Sequence, residues 1–598
     1  MSRFSLHRWR PSLLAAMVIA LAAFVLACGP GAEPTATTAP ATTPTQAPTQ
    51  ATPTPTRPAT VATPTPTTAA APTPTSAPAQ QPVRGGTMNF IEGAQTQTYD
   101  LYLECCPTMQ LELSKMYNNL LINYDGEKIE CDICESWGLE NNGKTMVFKL
   151  RQGIKFQPQA AGGKELTSAD VKYSIEMITG QVDGIVSPRV GVMKEYIDKI
   201  ETPSKYEVRL NLIRPSAFMP KILTVAGAVI VPQGTTRDNL KTAARGTGPF
   251  IETQIVPGAF RKLERNANYF KSGQPYIDSV TVNIVADATA RNAAFLTGKY
   301  PYLVTSYGYA AEIWPQLMQA VDQNKVFTAI EYGGEGPHGV WMNPKKPPFN
   351  DIKLRQAVNL AVDRKEYGKA MYQEYAVEQL LFYTAKQDYG TPVDKIWNVQ
   401  AGWGTGAKKA EEQQQAKKLL ADAGFPTGFK INQFVNTTVI SGFGYTAGHL
   451  ELQSELKKYL NIDTTLDYAK SSADFVARTS NHDFNIMHYI YYPTTYDPDE
   501  VIGQYWLCGG ARNQEDYCNP EVDKLYLQMS AESDPAKRKE TFLKIQNIIL
   551  NQDVGYAPVP TADRYVFVWK WLGGFAKPRN IWFSNGNVRS DQVWVIPH

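Results

Sequence analysis

Histidine is scarce in this chain of 598 residues: His7, His338, His449, His482, His488 and His598 are all it has. Metal sites need clusters of imidazole, thiolate or carboxylate. The closest pair, His482 and His488, has a spacing with no ligand specificity, so no bound metal is expected. The chain also lacks a Gly-x-Ser-x-Gly elbow, a His-Glu-x-x-His helix and a Gly-Lys-Ser/Thr phosphate loop. No catalytic residues and no cofactor are expected. Paired carboxylates need only spatial proximity, so a surface-tethered hydrolase stands as the rival class. Neither sign of charge is in excess: 59 basic and 57 acidic residues leave a formal net charge of +2. That balance gives no electrostatic case for nucleic acid.

A long hydrophobic run is missing too. Residues 13–27 are apolar and uncharged, but a membrane span needs roughly 20 such residues. With Arg3, Arg8 and Arg10 ahead of it, the run reads as a cleaved export signal. It ends in Val25-Leu26-Ala27-Cys28-Gly29, which resembles the bacterial lipobox, although Leu26 is bulkier than usual there. The expectation is a signal peptide over 1–27 and lipidation at Cys28. Two acyl chains anchor stably where one does not. This places the protein on the outer face of the cytoplasmic membrane or in the cell envelope. Residues 28–82 follow as a linker; 33–82 hold 13 Pro and 17 Thr. Such a segment cannot build an apolar core and stays extended.

Cysteine is sparse at seven. Setting Cys28 aside leaves Cys105, Cys106, Cys131, Cys134, Cys508 and Cys518. An even number in an exported protein favours disulfides. Cys508 and Cys518 flank one loop and are expected to pair. The other four are expected to form two bridges joining the Cys105-Cys106 segment to the Cys131/Cys134 turn, with the connectivity open.

What remains, residues 83–598, alternates strand-like and helix-like segments, an α/β pattern. Strands are expected at 87–91, 145–151, 206–212 and 280–285. Helices are expected at 111–121, after the Thr167–Asp170 cap, from Asp287 to Leu296, and at 352–366, 407–423, 447–460 and 534–550.

Several motifs now fall in register. They are Arg84-Gly85-Gly86-Thr87-Met88, Cys134-Glu135-Ser136-Trp137, Leu150-Arg151-Gln152-Gly153-Ile154-Lys155-Phe156 and Leu166-Thr167-Ser168-Ala169-Asp170-Val171. Gly246-Thr247-Gly248-Pro249-Phe250, Arg265-Asn266-Ala267-Asn268-Tyr269-Phe270, and Pro348-Phe349 with Leu354-Arg355-Gln356-Ala357 and Asp363-Arg364 follow. In this order the sequence resembles the family 5 extracytoplasmic solute-binding proteins of peptide and nickel ABC importers.

The resemblance implies an α/β fold of the periplasmic-binding-protein class II type: two lobes, a hinge, a deep cleft between them and a small extra subdomain. It implies lobe I over 83–122, 245–335 and 563–598, the subdomain over 123–244, and lobe II over 336–562. It implies a monomer that captures a small solute, an oligopeptide first, and delivers it to an ABC permease and its ATPase. An oligosaccharide or a nickel chelate are the alternatives within the family.

The cleft stretches implied by the resemblance contain Tyr99, Tyr307, Tyr309, Trp341, Asn343, Trp403, Tyr491, Tyr492, Thr494 and Asp497. Aromatic faces offer large apolar area at low entropic cost, and the chain has 31 Tyr and 11 Trp. Trp341 can equally be core. Trp403, between Gly402 and Gly404, reads as an exposed loop position. Tyr491 and Tyr492 fit packing or cleft. Peptide binders of the family hold the ligand amine with an Asp four residues before a Pro. Here that position is Thr494, and a hydroxyl cannot neutralise an ammonium. Either Asp497 substitutes from another angle, or the ligand is not a free-amine peptide; Asp497 is equally a plain turn residue before Pro498.

Overall fold

The computed structural model describes residues 81–103, 107–124, 128–304, 316–319, 321, 327–334, 338–373, 376–381, 389–436, 445–490, 493, 495, 497–510, 512–575 and 589–597. Cys28, Cys105, Cys106, Tyr307, Tyr309, Tyr491, Tyr492 and Thr494 lie outside them.

The opening strand, Thr87–Glu92, pairs in parallel with Ser279–Ile284. That strand leads through antiparallel Phe260–Arg265 to Phe250–Val256 at the far edge. A second, wholly antiparallel sheet runs Cys134–Glu140, Thr145–Leu150, Glu207–Leu212, Ile197–Ser204. Both share one apolar core, from Met88 and Phe90 through Phe148, Val208 and Val231 to Val280. Late residues Val566, Val568, Leu572 and Val593 complete it.

A five-stranded mixed sheet builds the other lobe, in the order Asp463–Tyr468, Lys430–Val435, Ile486–Ile490, His338–Met342, Tyr556–Val559. Two apolar clusters, one around Trp341 and Trp506 and one around Val340 and Leu354, belong to it. Thr561–Trp569 then pairs with Phe327–Gly334 and Tyr302–Val304, and its Val566 and Val568 enter the first core. The segment 556–569 therefore serves both lobes.

The motifs act as local staples. A Cβ at Gly246 would meet the Met116 carbonyl oxygen at 2.2 Å, and one at Gly248 the Met116 carbonyl carbon at 2.3 Å. Only glycine permits that approach. Asn266 locks the same turn, donating from Nδ2 to Gly248 O at 3.0 Å. Thr167 and Asp170 form a capping box on Ser168–Ile178.

Two expected helices differ. In place of a helix over 111–121, a helix ends at Leu113 and Leu121 begins a short strand. The helix expected over 352–366 is two, Ile352–Ala361 and Arg364–Tyr372. The Asp363 side chain accepts from the backbone of Lys365 and Glu366 and restarts the helix. Arg364, buried, donates to the carbonyls of Pro558, Asn359, Val362 and Gly402 around the break.

The disulfides are Cys508–Cys518, as expected, and Cys131–Cys134. The second overturns the expected link between the Cys131/Cys134 turn and the Cys105-Cys106 segment. Cys131 ends one strand and Cys134 begins the next, with Cα atoms 5.0 Å apart, an ordinary bridging distance. Between them Asp132 is fully buried and bound by Arg589 at 2.6 Å and Lys271 at 2.7 Å. Arg589 also pairs with Asp591 at 2.8 Å, so the tail of the chain is fastened to this turn.

Candidate functional site

Between the two lobes lies a cavity of about 840 Å³, within the range of small-molecule sites. One wall is the segment 186–195, whose Val190 and Met193 belong to the first-lobe core. The opposite wall comes from the second lobe and includes Asn436, Phe475, His482, Tyr489, Gln504 and Arg512. The lining mixes an aromatic and aliphatic surface with amide, imidazole and guanidinium groups. It offers apolar contact together with directed hydrogen bonds.

The local structure explains these positions. Gln504 sits on a π-helical turn, Ile502–Trp506, just after the short helix Pro498–Val501. The Cys508–Cys518 bridge closes the next loop, which carries Arg512, Asn513 and Gln514 into the cavity wall. His482 Nδ1 lies 2.9 Å from Gln514 O. A carbonyl only accepts, so Nδ1 carries the proton.

Three contacts tie the lobes together near the cavity. Arg512 Nη2 donates to Pro188 O at 2.8 Å. The Tyr196 and Tyr526 hydroxyls meet at 2.7 Å, with the Arg214 guanidinium 4.6 Å from the Tyr196 ring centre. Lys221 Nζ lies 2.8 Å from Asp497 Oδ2.

Asp497 is fully buried. It caps Pro498–Val501 and also takes the Arg538 guanidinium, with Nη1 at 2.9 Å from Oδ2. Burial opposes its charge, but Lys221 and Arg538 outweigh burial and hold its carboxyl well below the usual carboxylate range. Its neighbour Asp499 shares Arg538 at 2.8 Å and accepts from Ser530 Oγ at 2.8 Å. Burial first, and then the Asp497 charge, push the Asp499 pKa up.

The other expected cleft residues are placed as follows. Tyr99 is buried, donates to Glu252 Oε1 at 2.7 Å and lies under the Arg261 guanidinium. Burial and that bond push its pKa up to about 12. Trp341 is fully buried, stacked on Trp506 at 5.9 Å, and donates to Tyr489 O at 3.2 Å. Asn343 is buried and donates to His482 O at 3.0 Å, which braces the loop carrying His482.

Trp403 is fully buried, not an exposed loop residue. Its ring stands edge-on to Trp397 at 5.1 Å, with the Arg364 guanidinium 5.3 Å away. The flanking glycines serve close packing there: a Cβ at Gly402 would meet Asn359 O at 2.3 Å. None of Tyr99, Trp341, Asn343, Trp403 and Asp497 lines the described cavity. Gln504, Arg512 and the 186–195 wall were not singled out from sequence, because isolated polar residues in no motif give no signal.

Among the described residues, no helix is long and apolar enough to cross a membrane. The sequence profile of the bacterial extracellular solute-binding proteins, family 5 middle region, matches residues 128–513. The glutathione-binding protein GsiB of Escherichia coli (strain K12) is 24% identical over 472 residues, covering 76% of this chain and 85% of that protein. The probable di/tripeptide-binding protein 5 of Pseudomonas aeruginosa (strain UCBPP-PA14) is 22% identical over 499 residues, covering 79% and 90%.

Among solved structures, the ABC transporter-associated periplasmic binding protein DppA of Helicobacter pylori, in complex with the peptide STSA, superposes with a TM-score of 0.71. It is 22% identical, over 86% of this chain and 99% of that one. AgaA from A. tumefaciens R10, in complex with agropinic acid, gives 0.70 at 23% identity over the same shares of the two chains.

Proposed function

The chain belongs to the bacterial extracellular solute-binding proteins of family 5, and from that premise we propose that it captures a short peptide between its lobes and hands it to an ABC permease and its ATPase. The observation that carries this is the cavity bounded by both lobes, with apolar faces and amide, imidazole and guanidinium groups on its walls. Curated relatives named for binding glutathione and di/tripeptides favour peptide over oligosaccharide or nickel chelate. No reaction on the ligand is part of this reading.

Capture works by differential binding. A solute that touches both walls stabilises the arrangement in which the lobes meet, and only such contacts shift the balance between open and closed forms. Residues 1–27 are proposed to be removed on export, with Cys28 lipidated and 28–82 acting as a leash for a monomeric receptor. Lobe I (83–122, 245–335, 563–598), the attached subdomain (123–244) that shares its core and supplies the 186–195 wall, and lobe II (336–562) are proposed as its folded parts. Tyr307, Tyr309, Tyr491, Tyr492 and Thr494 are proposed to face the cleft.

The test is a thermal-shift screen with an equimolar tripeptide library, a set of oligosaccharides and a nickel chelate, followed by titration calorimetry. A ligand at a hundred times its Kd adds about 2.7 kcal/mol to the stability of the protein. Stabilisation by the tripeptides alone is expected. Stabilisation by the sugars or the chelate alone would replace the peptide with that solute.

A further inference from the structure

Gln504 lines the interlobe cavity while only 3% exposed, and among the described residues its Nε2 has no hydrogen-bond partner. Leaving a buried polar group unpaired forfeits its solvation without return. The residue stands on a π-helical turn, a feature frequent at functional sites. A terminal amide rotates readily about its last torsion, so an acceptor brought into the cavity beside it relieves the deficit.

Arg512 adjoins it: the Arg512 backbone N–H donates to Gln504 O at 2.9 Å, and both residues line the same cavity. The guanidinium gives one N–H to the Tyr505 hydroxyl at 2.9 Å and one to Pro188 O at 2.8 Å. A guanidinium carries five N–H donors, of which these two bonds use two. The buried acid whose charge acts on Arg512 is Glu500, and it already accepts from Thr495 N and Oγ1. Of the charged lining residues, Arg189 and Arg512 are half-buried, whereas Lys194, Glu195 and Asp516 are exposed. The sheltered part of the wall is thus cationic and rich in donors.

Resting on the peptide reading above, we propose that Gln504 and Arg512 receive the C-terminal carboxylate of the bound peptide. A carboxylate only accepts, and its hydrogen bonds to a guanidinium are among the strong ones. Arg512 also ties the second lobe to Pro188 in the first. The side chain that reads the ligand's charge is therefore one that holds the lobes together.

The probes are the equimolar tripeptide library and the same library with amidated C-termini, with retained peptides measured by mass spectrometry and calorimetry. The wild type is expected to keep free acids and reject amides. Gln504→Met is expected to weaken the best free-acid peptide about ten-fold, a loss of about 1.4 kcal/mol. Its melting temperature without ligand should be unchanged or higher, because the unpaired amide is gone. Arg512→Met should lose at least as much affinity. Equal retention of acids and amides by the wild type, or wild-type affinity in Gln504→Met, overturns the assignment. If Gln504→Met does not fold, Gln504→Glu keeps the size and sets a negative charge against the carboxylate; unweakened binding by it overturns the assignment equally. A wild type that retains neither library sinks the peptide reading itself, and this assignment with it.

Discussion

Lys221 and Asp497 stand 276 residues apart in the chain and meet across the lobes with Nζ 2.8 Å from Oδ2. Lys221 lies on Met219–Ile222, whose Met219 and Ile222 are in the first-lobe core, while Asp497 caps a helix of the second lobe. The carboxylate that the sequence offered as a ligand-amine partner is thus held by two cations of the protein itself.

Removing Lys221 should therefore loosen closure without unfolding the protein, since Arg538 still neutralises Asp497. Lys221→Met is expected to expand the ligand-free protein in small-angle scattering. Lys221 is 34% exposed and Arg538 still compensates the buried Asp497, so the loss should be about 1 kcal/mol and peptide affinity should fall no more than about five-fold. An unchanged radius of gyration and unchanged affinity would show that the pair has no part in closure.

Arg538 is the opposite case. It is buried and serves Asp497 and Asp499 together. Arg538→Met leaves two buried carboxyl groups with less compensation, and breaking such a buried set costs about 3–5 kcal/mol. Urea unfolding should show a large loss of stability. A loss below 1 kcal/mol would mean that Asp499 already carries a proton in the folded state.

Three buried histidines of the second lobe predict a pH dependence. His449 and His488 lie 5.4 Å apart between ring centres, and His338 and His488 5.9 Å. Burial lowers the His449 pKa to about 4, and burial with the two neighbouring imidazoles lowers that of His488 well below the usual value. An unfolded histidine titrates near 6.5. Between about pH 6.5 and 4 the unfolded chain binds protons that the folded chain refuses, so stability falls as pH falls through that window. His449→Gln should flatten the slope of unfolding free energy there, saving up to roughly 3 kcal/mol at the acid end. Parallel pH profiles for wild type and variant would contradict the buried, neutral state of His449.

The Cys508–Cys518 bridge closes a wall of the cavity, so its loss should touch both stability and binding. Removing a native disulfide typically costs about 2–4 kcal/mol. The double variant Cys508→Ser/Cys518→Ser should melt lower and bind peptide more weakly, whereas a drop in melting alone would separate the loop from the site.

Cys28→Ser tests the anchor. The variant should appear in the medium or the soluble envelope fraction with its peptide affinity intact. Continued membrane attachment would show that something other than acylation at Cys28 holds it there.

The residues that made the family legible from sequence are those whose role is local. Thr167 and Asp170 announce a helix start, and Gly246 and Gly248 mark a backbone approach that allows no side chain. Arg364 belongs to a motif because it fills a space among four carbonyls. The site was less legible, because burial is decided by distant segments. Trp403 sits between glycines and yet packs against Trp397 and Arg364. Trp341 occupies a strand whose neighbours on both sides are supplied by residues 486–490 and 556–559. Gln504 and Arg512 matter through the wall they share with 186–195, a proximity that no local pattern encodes.

The first-lobe core draws on Met88 and Phe90 at one end and on Leu572 and Val593 at the other, and Arg589 is clamped to Asp132. A chain emerging from the ribosome N-terminus first cannot seal that core until Val593 has been made. Contacts of such wide sequence separation also form slowly. Topology thereby delays completion of this core, and a polypeptide in that unsealed condition can still be threaded through a narrow channel.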